Sequence, residues 1–406
     1  LDIITEDLNG SMWVAAVEKR RLIGLEVDPV QEIVRWGSVY MGRVTRIDTK
    51  INAAFLDLGY EQSGIIFAAD VILPDGTKPK GKKIGQILRS GQMIAVQIKQ
   101  AINPAPDLVK DLPLSEKSSR VSMDISLAGR HLIYTPLTKE NRVSKRVTNP
   151  ALRKSMQDMV RDIDSIQGCI LRSSAANCQT DVLIRESKIL HALWDSLKNF
   201  LKTDEDPALI MMGPDATQRL LSDHATENIN RIAVSTMEQF QDIEDWCELY
   251  APGLVTKIDP ASESETVVRL GLFESYGVIE DIDSLLRPYI FLTGGGSLII
   301  QTTAALTAID VNQGMDSSIL SANLDAAKEA ARQIRLRNLG GIVIIDFINM
   351  KSKKDKDQVM ALLKKEIAKD PCTVDLHGWT KTGLMELTRA RRTPPLKDRF
   401  DQADFD

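Results

Sequence analysis

The chain has 406 residues, 43% of them hydrophobic and 26% charged, with a formal net charge of −5. That balance describes a globular chain of about two to four domains at roughly 150 residues each, and it argues against a protein coated in nucleic acid through bulk charge. No apolar run approaches the ~20 residues needed to cross a bilayer, and the acidic start LDIITEDLNG does not read as a secretory signal. The four cysteines (Cys169, Cys178, Cys247 and Cys372) are scattered without a CxxC pair. Each is expected to be a packed thiol in a reducing, cytoplasmic setting, since zinc sites use paired spacings.

In chain order, WVAAVEKRRLIGLEVD within 13–36 predicts two strands around Glu18–Arg21. GSVYMGRVTRIDTKINAAFLDLGYEQSGIIF at 37–67 predicts a series of strands punctuated by Gly42, Gly59 and Gly64, which suggests a small barrel. A Lys-, Pro- and Gly-rich loop over 72–92 leads to a strand at 93–101. An excursion precedes the expected closing strand, RVSMDISLAG. A helix is predicted from 150 to 168 with Met156, Met159, Val160 and Ile163 on one face, then a strand at GCILRSSA and a strong helix over 181–202. A mixed region runs to about 285. IFLTGGGSLIIQTTAALTAIDVN then reads as a hairpin-like pair of strands with Gly294–Gly296 in the turn. SANLDAAKEAARQIRLRN is a helix with Leu324, Ala327, Ala331 and Ile334 on its apolar side and a stop at Gly340. GIVIIDFI is a strand, and KDQVMALLKKEIAKD a helix halted by Pro371.

Local basic tracts stand out against the acidic whole. KPKGKKIGQILRS at 78–90 carries five positive charges and no negative one. Residues 139–154 hold Lys139, Arg142, Lys145, Arg146, Arg153 and Lys154 against Glu140 alone. KSKKDKD at 351–357 reads equally as a solvated helix start or a phosphate contact.

Two aspartates are candidates for chemistry. Asp310 follows an apolar run in ALTAIDVNQG, and Asp346 follows another in GIVIIDFINM, with one helix between them. This is a βαβ unit. If the strands are parallel, both carboxyl ends lie on one rim, about 4.8 Å apart if adjacent and about twice that if one strand intervenes. That span suits one hydrated Mg²⁺, which takes one or two carboxylates, waters and a phosphate oxygen. Asn312, two residues beyond Asp310, faces the same way. The plainer alternative is a pair of aspartates that cap the turns after their strands.

GGGSLIIQTTAALTAIDVNQG, LDAAKEAARQIRLRNLGGIVIIDFINM and GLMELTRARRTPPL, in that order, closely resemble the ribonuclease E/G family of bacterial endoribonucleases. VYMGRVTRIDTKINAAFLDLG resembles that family's S1 RNA-binding domain, and SMDISLAGRHLIY its exit into a 5′-end sensing domain. The resemblance covers nearly the whole chain. It implies a multidomain α/β (α+β) architecture: an RNase H-like domain from residues 1–36 and 218–278, an S1 β-barrel at 37–125, a 5′-sensor domain at 126–217 and a DNase I-like catalytic domain at 279–406.

By the same resemblance Asp310 and Asp346 are metal ligands and Asn312 is their catalytic companion. The implied activity is Mg²⁺-dependent hydrolysis of single-stranded RNA to 5′-phosphate and 3′-hydroxyl ends, with Mn²⁺ as a substitute, in rRNA processing or mRNA decay. Phe55 matches the family's stacking phenylalanine. Ile65 stands where the family has a second aromatic, with Phe67 two residues on. Lys117 aligns with an RNA-reaching lysine, and Arg43 and Arg46 are further RNA-binding candidates. Arg172 and Ser173 match the 5′-phosphate pocket, whereas Thr373 stands where the family has a second arginine. The family continues into a CPxC-type zinc link, which DRFDQADFD does not supply. No structural zinc and no zinc-linked dimer are therefore expected of these residues. The implied partners are single-stranded RNA and other RNA-processing proteins. The rival readings are a non-catalytic S1-type RNA-binding protein with a degenerate nuclease domain, and a metal-dependent nuclease acting on DNA.

Overall fold

The computed structural model describes residues 1–402 apart from 31, 33, 60–62, 103–117, 202–205, 261–270, 304 and 316–317. The chain divides into two compact units, one of residues 1–30, 232–236 and 260–406, the other of 31–231 and 237–259. It is a mixed α/β protein with a closed five-stranded barrel.

The chain begins with an antiparallel meander of β1 (Asp2–Leu8), β2 (Ser11–Glu18) and β3 (Arg21–Asp28). Lys19 and Arg20 both take positive φ (50° and 59°), which makes the two-residue turn that matches strand twist. β1 was not expected from its mixed charges. Its Glu6 is buried because the carboxylate accepts the backbone N–H groups of Leu272 (3.0 Å) and Phe273 (2.6 Å). Those are orphan donors at the start of a helix.

In the second unit, β4 (Val39–Asp48), β5 (Ala53–Asp57), β6 (Ser63–Phe67), β7 (Met93–Gln100) and β8 (Ser119–Ser122) run in the order β4-β5-β6-β8-β7, and β7 pairs back onto β4. The inside is filled by Val44, Ala54, Leu56, Leu58, Ile66, Val96, Ile98 and Val121. Two expectations change here. Gly42 and Gly64 lie within strands, where an added Cβ would come within 3.0 and 3.2 Å of Leu58; they admit close packing, and only Gly59, at φ 84°, makes a turn. The closing strand is also shorter than RVSMDISLAG, because Leu127–Ala128 (β9) pairs with β10 (Leu132–Tyr134) in a different sheet.

That sheet has the order β11-β12-β10-β9, with β11 at Arg142–Val143 and β12 at Cys169–Leu171. It packs with α1 (Pro150–Val160) and α2 (Thr180–Phe200) around Leu132, Met156, Val160, Leu171, Leu183 and Leu190. Asn149 caps α1 by accepting from Ala151 and Leu152, and the helix stops at Val160, short of the predicted 168. Arg153, from the basic tract, donates to the carbonyls of Val143, Ser144 and Val147. β13 (Ala208–Met211), α3 (Ala216–Asp223), β14 (Arg231–Val234), α4 (Met237–Tyr250) and β15 (Ile258–Pro260) follow.

After α5 (Leu272–Ser275) and α6 (Val278–Leu286), the chain builds a six-stranded sheet. Its strands are β16 (Tyr289–Phe291), β17 (Ser297–Thr302), β18 (Leu306–Asn312), β19 (Gly341–Asp346), β20 (Val374–Trp379) and β21 (Met385–Arg389), in the order β16-β17-β18-β19-β21-β20. The predicted pair of strands is thus three; the glycine turn joins β16 to β17. α7 (Ile319–Leu336) and α8 (Lys353–Ile367) cover one face, with Ala327, Ala331, Ile334, Val359 and Leu363 against Leu298, Ile300, Ile309, Val311, Val343, Ile345 and Leu387. Asn338, at φ 51°, takes the left-handed position that ends α7, two residues before the stop expected at Gly340. α9 (Leu396–Gln402) ends the described chain.

Candidate metal centre and nucleic-acid interface

Strand alternation places the carboxylates. Along β18, Thr307, Ile309 and Val311 are buried, while Ala308, Asp310 and Asn312 face out. Asp310 is therefore a mid-strand residue on the open face and not a turn former. β18 and β19 are adjacent and parallel, and the register pairs Asp310 directly with Asp346. Neighbouring strands put the two backbones about 4.8 Å apart. The Asn312 amide donates to an Asp310 carboxylate oxygen at 2.9 Å and so fixes its rotamer.

Two backbone devices hold this rim. An added Cβ on Gly314 would lie 2.0 Å from the Gly295 carbonyl oxygen, and one on Gly296 would lie 2.4 Å from that of Asn312. The glycine turn and the end of β18 touch backbone to backbone, which only glycine permits. Behind Asp346, fully buried Asn323 of α7 donates to the Ile348 carbonyl (2.8 Å) and accepts its N–H (3.0 Å). Asn323 escaped the sequence reading. Its signal was a polar residue on the apolar stripe of Ala327, Ala330 and Ile334.

The donor set suits a hard divalent cation. Both carboxylates offer solvent-facing oxygens with room for waters, the hard donors that a Mg²⁺-like cation prefers. Among the described residues no three His, Cys, Asp or Glu side chains converge on a metal-binding point, so the pair would supply the protein ligands with water and substrate completing the shell. Glu386, paired with Ile344 on β21, is the next carboxylate on the same open face.

On the barrel, the outward positions of β5 and β6 form a small cluster apart from the core: Ala53, Phe55 and Ile65 buried, Phe67 packed against them. The register sets Arg46, Phe55, Ile65 and Arg120 side by side. Arg46 lies over the Phe55 ring at 5.1 Å and Arg120 over Phe67 at 5.4 Å. Phe55 is only 3% exposed, and the Arg46 guanidinium covers its ring face. Arg120 was not foreseen. It is anchored by Asp70 at 2.9 Å, as Arg46 is by Asp48.

Comparison with known proteins is decisive about kinship. The sequence model of the Ribonuclease E/G family matches residues 126–392. This chain belongs to the ribonuclease E/G family. It is 30% identical over 376 residues to a protein named ribonuclease G from Haemophilus influenzae, covering 89% of this chain and 73% of that protein. Ribonuclease G of Escherichia coli is 29% identical over 371 residues, 87% of this chain and 72% of its own. A ribonuclease E from Synechocystis is 30% identical over 394 residues, 92% of this chain but 56% of that longer protein.

The remaining residues matched to the family fall as follows. Arg172 follows β12 and donates to the carbonyls of Gly129 and Ser222, both at 3.1 Å, with the Asp223 carboxylate 3.7 Å away. Ser173 opens the 3₁₀ turn that follows it. Arg172 thus faces two carbonyls and a carboxylate, which lowers its appetite for a phosphate. Thr373 is exposed in the other unit, its carbonyl accepting from Ala390 at 2.9 Å. Arg43 pairs with Asp206 at 2.8 Å. Lys117 lies outside the described residues. The four cysteines are free thiols, and among the described residues no helix is long and apolar enough to cross a membrane.

Proposed function

We propose that this chain is a Mg²⁺-dependent endoribonuclease that hydrolyses single-stranded RNA in RNA processing or decay in the cytoplasm. The observation that carries the reading is the in-register Asp310–Asp346 pair on an open sheet face, with Asn312 bonded to Asp310. Family membership supports it. On this reading residues 1–36 with 218–278 are RNase H-like, 37–125 is the S1 barrel, 126–217 the 5′-sensor and 279–406 the DNase I-like catalytic domain. Other RNA-processing proteins are its natural partners.

Asp310 and Asp346 would hold Mg²⁺, or Mn²⁺ in its place, which when bound would supply positive charge against the scissile phosphate and lower the pKa of a water. The chain's own groups do the rest. Asp310 and Asp346 present anionic oxygens on paired positions of neighbouring strands, and the Asn312 amide holds the Asp310 carboxylate in one orientation. Hydrolysis in line with the 3′-oxygen leaves a 5′-phosphate and a 3′-hydroxyl. On the barrel, Arg43 and Arg46 contact phosphates, while Phe55 and Phe67 under their arginines receive bases; by the family resemblance Lys117 is a further RNA contact. Arg172 and Ser173 form a 5′-phosphate pocket whose preference is shallow, because the guanidinium already serves two carbonyls and faces Asp223.

The test is incubation of the protein with a 5′-labelled, single-stranded A/U-rich RNA and Mg²⁺, beside Asp310→Asn and Asp346→Asn. The expected result is cleavage by wild type and its loss in both variants, with RNA binding retained. Cleavage untouched by either substitution would overturn the Asp310–Asp346 site, and no cleavage by wild type at high enzyme concentration with binding intact would leave an RNA-binding protein without this activity.

A further inference from the structure

The open face of the six-stranded sheet carries more than carboxylates. The row holding Asp346 and Asp310 continues to Ile299 on β17 and Tyr289 on β16, each the register partner of the last. The next row sets Asn312, Ser297 and Phe291 abreast. Tyr289 is 48% exposed, Phe291 79% and Ile299 36%. The two rings meet edge to face, with centroids 5.7 Å apart at 70°. The inward residues of the same strands, Leu298 and Ile300, are buried in the core, so the exposure belongs to this face and not to a loose hairpin.

Two aromatic rings left in water on a three-residue edge strand are a liability unless something uses them. Their neighbours say what. Two strand spacings, about 9.6 Å, separate the backbones of Tyr289 and Asp310, with Ile299 as an apolar floor between. At that spacing a nucleotide neighbouring a phosphate at the acid pair would be within reach of the floor with its base. Among the described residues of these two rows none is cationic, so the Tyr289, Phe291 and Ile299 end of the surface offers no charge to a phosphate and an apolar platform to a neutral base. Aromatic stacking of unpaired bases is the general means of holding single strands, worth about 1–3 kcal/mol per base.

We propose that Tyr289 and Phe291, with Ile299, form a base-stacking subsite for the nucleotide flanking the scissile phosphate. The subsite rests on the nuclease reading for its position beside the cut, while stacking itself is testable without cleavage.

The experiment uses single-stranded RNAs carrying 2-aminopurine at successive positions around the mapped cut, bound to the Asp346→Asn protein without Mg²⁺. Wild-type-sequence Tyr289 and Phe291 should quench fluorescence at one or two adjacent positions, and Tyr289→Ala/Phe291→Ala should abolish that quenching. In the active protein the double variant should raise KM about 5- to 150-fold, with kcat little changed, and Phe291→Trp should restore binding. Melting curves check folding; Phe291→Ala alone, at the more exposed ring, serves if the double variant is unstable. Unchanged quenching and KM in the double variant overturn the subsite. Quenching unaltered while sedimentation shows a dimer lost would assign the face to a second copy and also overturn it. Quenching by a wild-type protein that fails to cut RNA would remove the nuclease reading and leave the stacking surface standing.

Discussion

The acid pair should cost the free protein stability, and Asp346→Asn measures the cost. Two carboxylates directly opposite on neighbouring strands repel. At roughly 5 Å, Coulomb's law gives about 0.8 kcal/mol at an effective dielectric of about 80 and about 1.7 kcal/mol at about 40. Both groups are exposed, so the true value lies in this solvent-screened range. Asp346 is the cleaner partner to change, because the Asn312–Asp310 bond survives. Without Mg²⁺ in about 20 mM salt, Asp346→Asn should raise the melting temperature by about 2–6 °C, at about 2–4 °C per kcal/mol. In about 1 M salt, where the Debye length is about 3 Å, the gain should shrink toward zero. Mg²⁺ should reverse the order. At about a hundred times its Kd it stabilises wild type by about 2.7 kcal/mol and should stabilise the variant far less. Differential scanning calorimetry across salt and Mg²⁺ reads all of this. A variant less stable than wild type at low salt, or equal Mg²⁺ shifts in both proteins, would refute the reasoning.

Three other outcomes follow from the packing. Asp370→Ala strands the buried Arg389, 2.9 Å from its partner and also bonded to Asn338; it should cost about 3–5 kcal/mol in urea unfolding, whereas Asp370→Leu with Arg389→Met should cost far less. Burial pushes the Lys99 ammonium down to about 8, Asp124 and Asp70 partly offsetting it. Because the unfolded lysine titrates near 10.4, the folded chain sheds this proton first, and stability relative to Lys99→Met should rise from pH 8 to about 10.4 by up to about 3 kcal/mol; a difference that stays flat over that window contradicts the assignment. Arg172→Ala should lower the melting temperature by removing two carbonyl bonds, yet change the cleavage-rate ratio of 5′-monophosphate to 5′-hydroxyl RNA only a few-fold. A ratio collapse with unchanged melting would make Arg172 a dedicated phosphate ligand.

Much of the catalytic-side sheet was legible because its signals are local. The α7 stripe of Leu324, Ala327, Ala331 and Ile334 turned inward as its spacing required, and the βαβ order set Asp310 and Asp346 on parallel strands. Their adjacency, and a register that makes them direct partners, were not written in the spacing; they come from how β18, β19 and the covering helices pack. β1 was missed because Glu6 looks like a surface charge until helix donors 266 residues away take it up. β20 and β21 were missed although VDLH and MELT alternate apolar with polar residues, because runs of four are a weak signal. Gly42 and Gly64 read as punctuation because sequence does not distinguish a turn glycine from one that makes room for Leu58. Phe55 was read as an RNA-facing ring, and it does lie on the outer face of the barrel, but beneath Arg46. Its cover was visible only once the bulge between Val44 and Arg46 had set the pairing.

The measurement that bears most directly on the central claim is a phosphorothioate substitution at the scissile phosphate of a single-stranded RNA. Sulfur in place of the oxygen that meets the metal should slow cleavage strongly in Mg²⁺, and the softer Mn²⁺ should restore it. Asp310→Asn and Asp346→Asn should abolish both the cleavage and its rescue. Cleavage indifferent to sulfur in both diastereomers and to either aspartate would contradict a metal held at the Asp310–Asp346 pair.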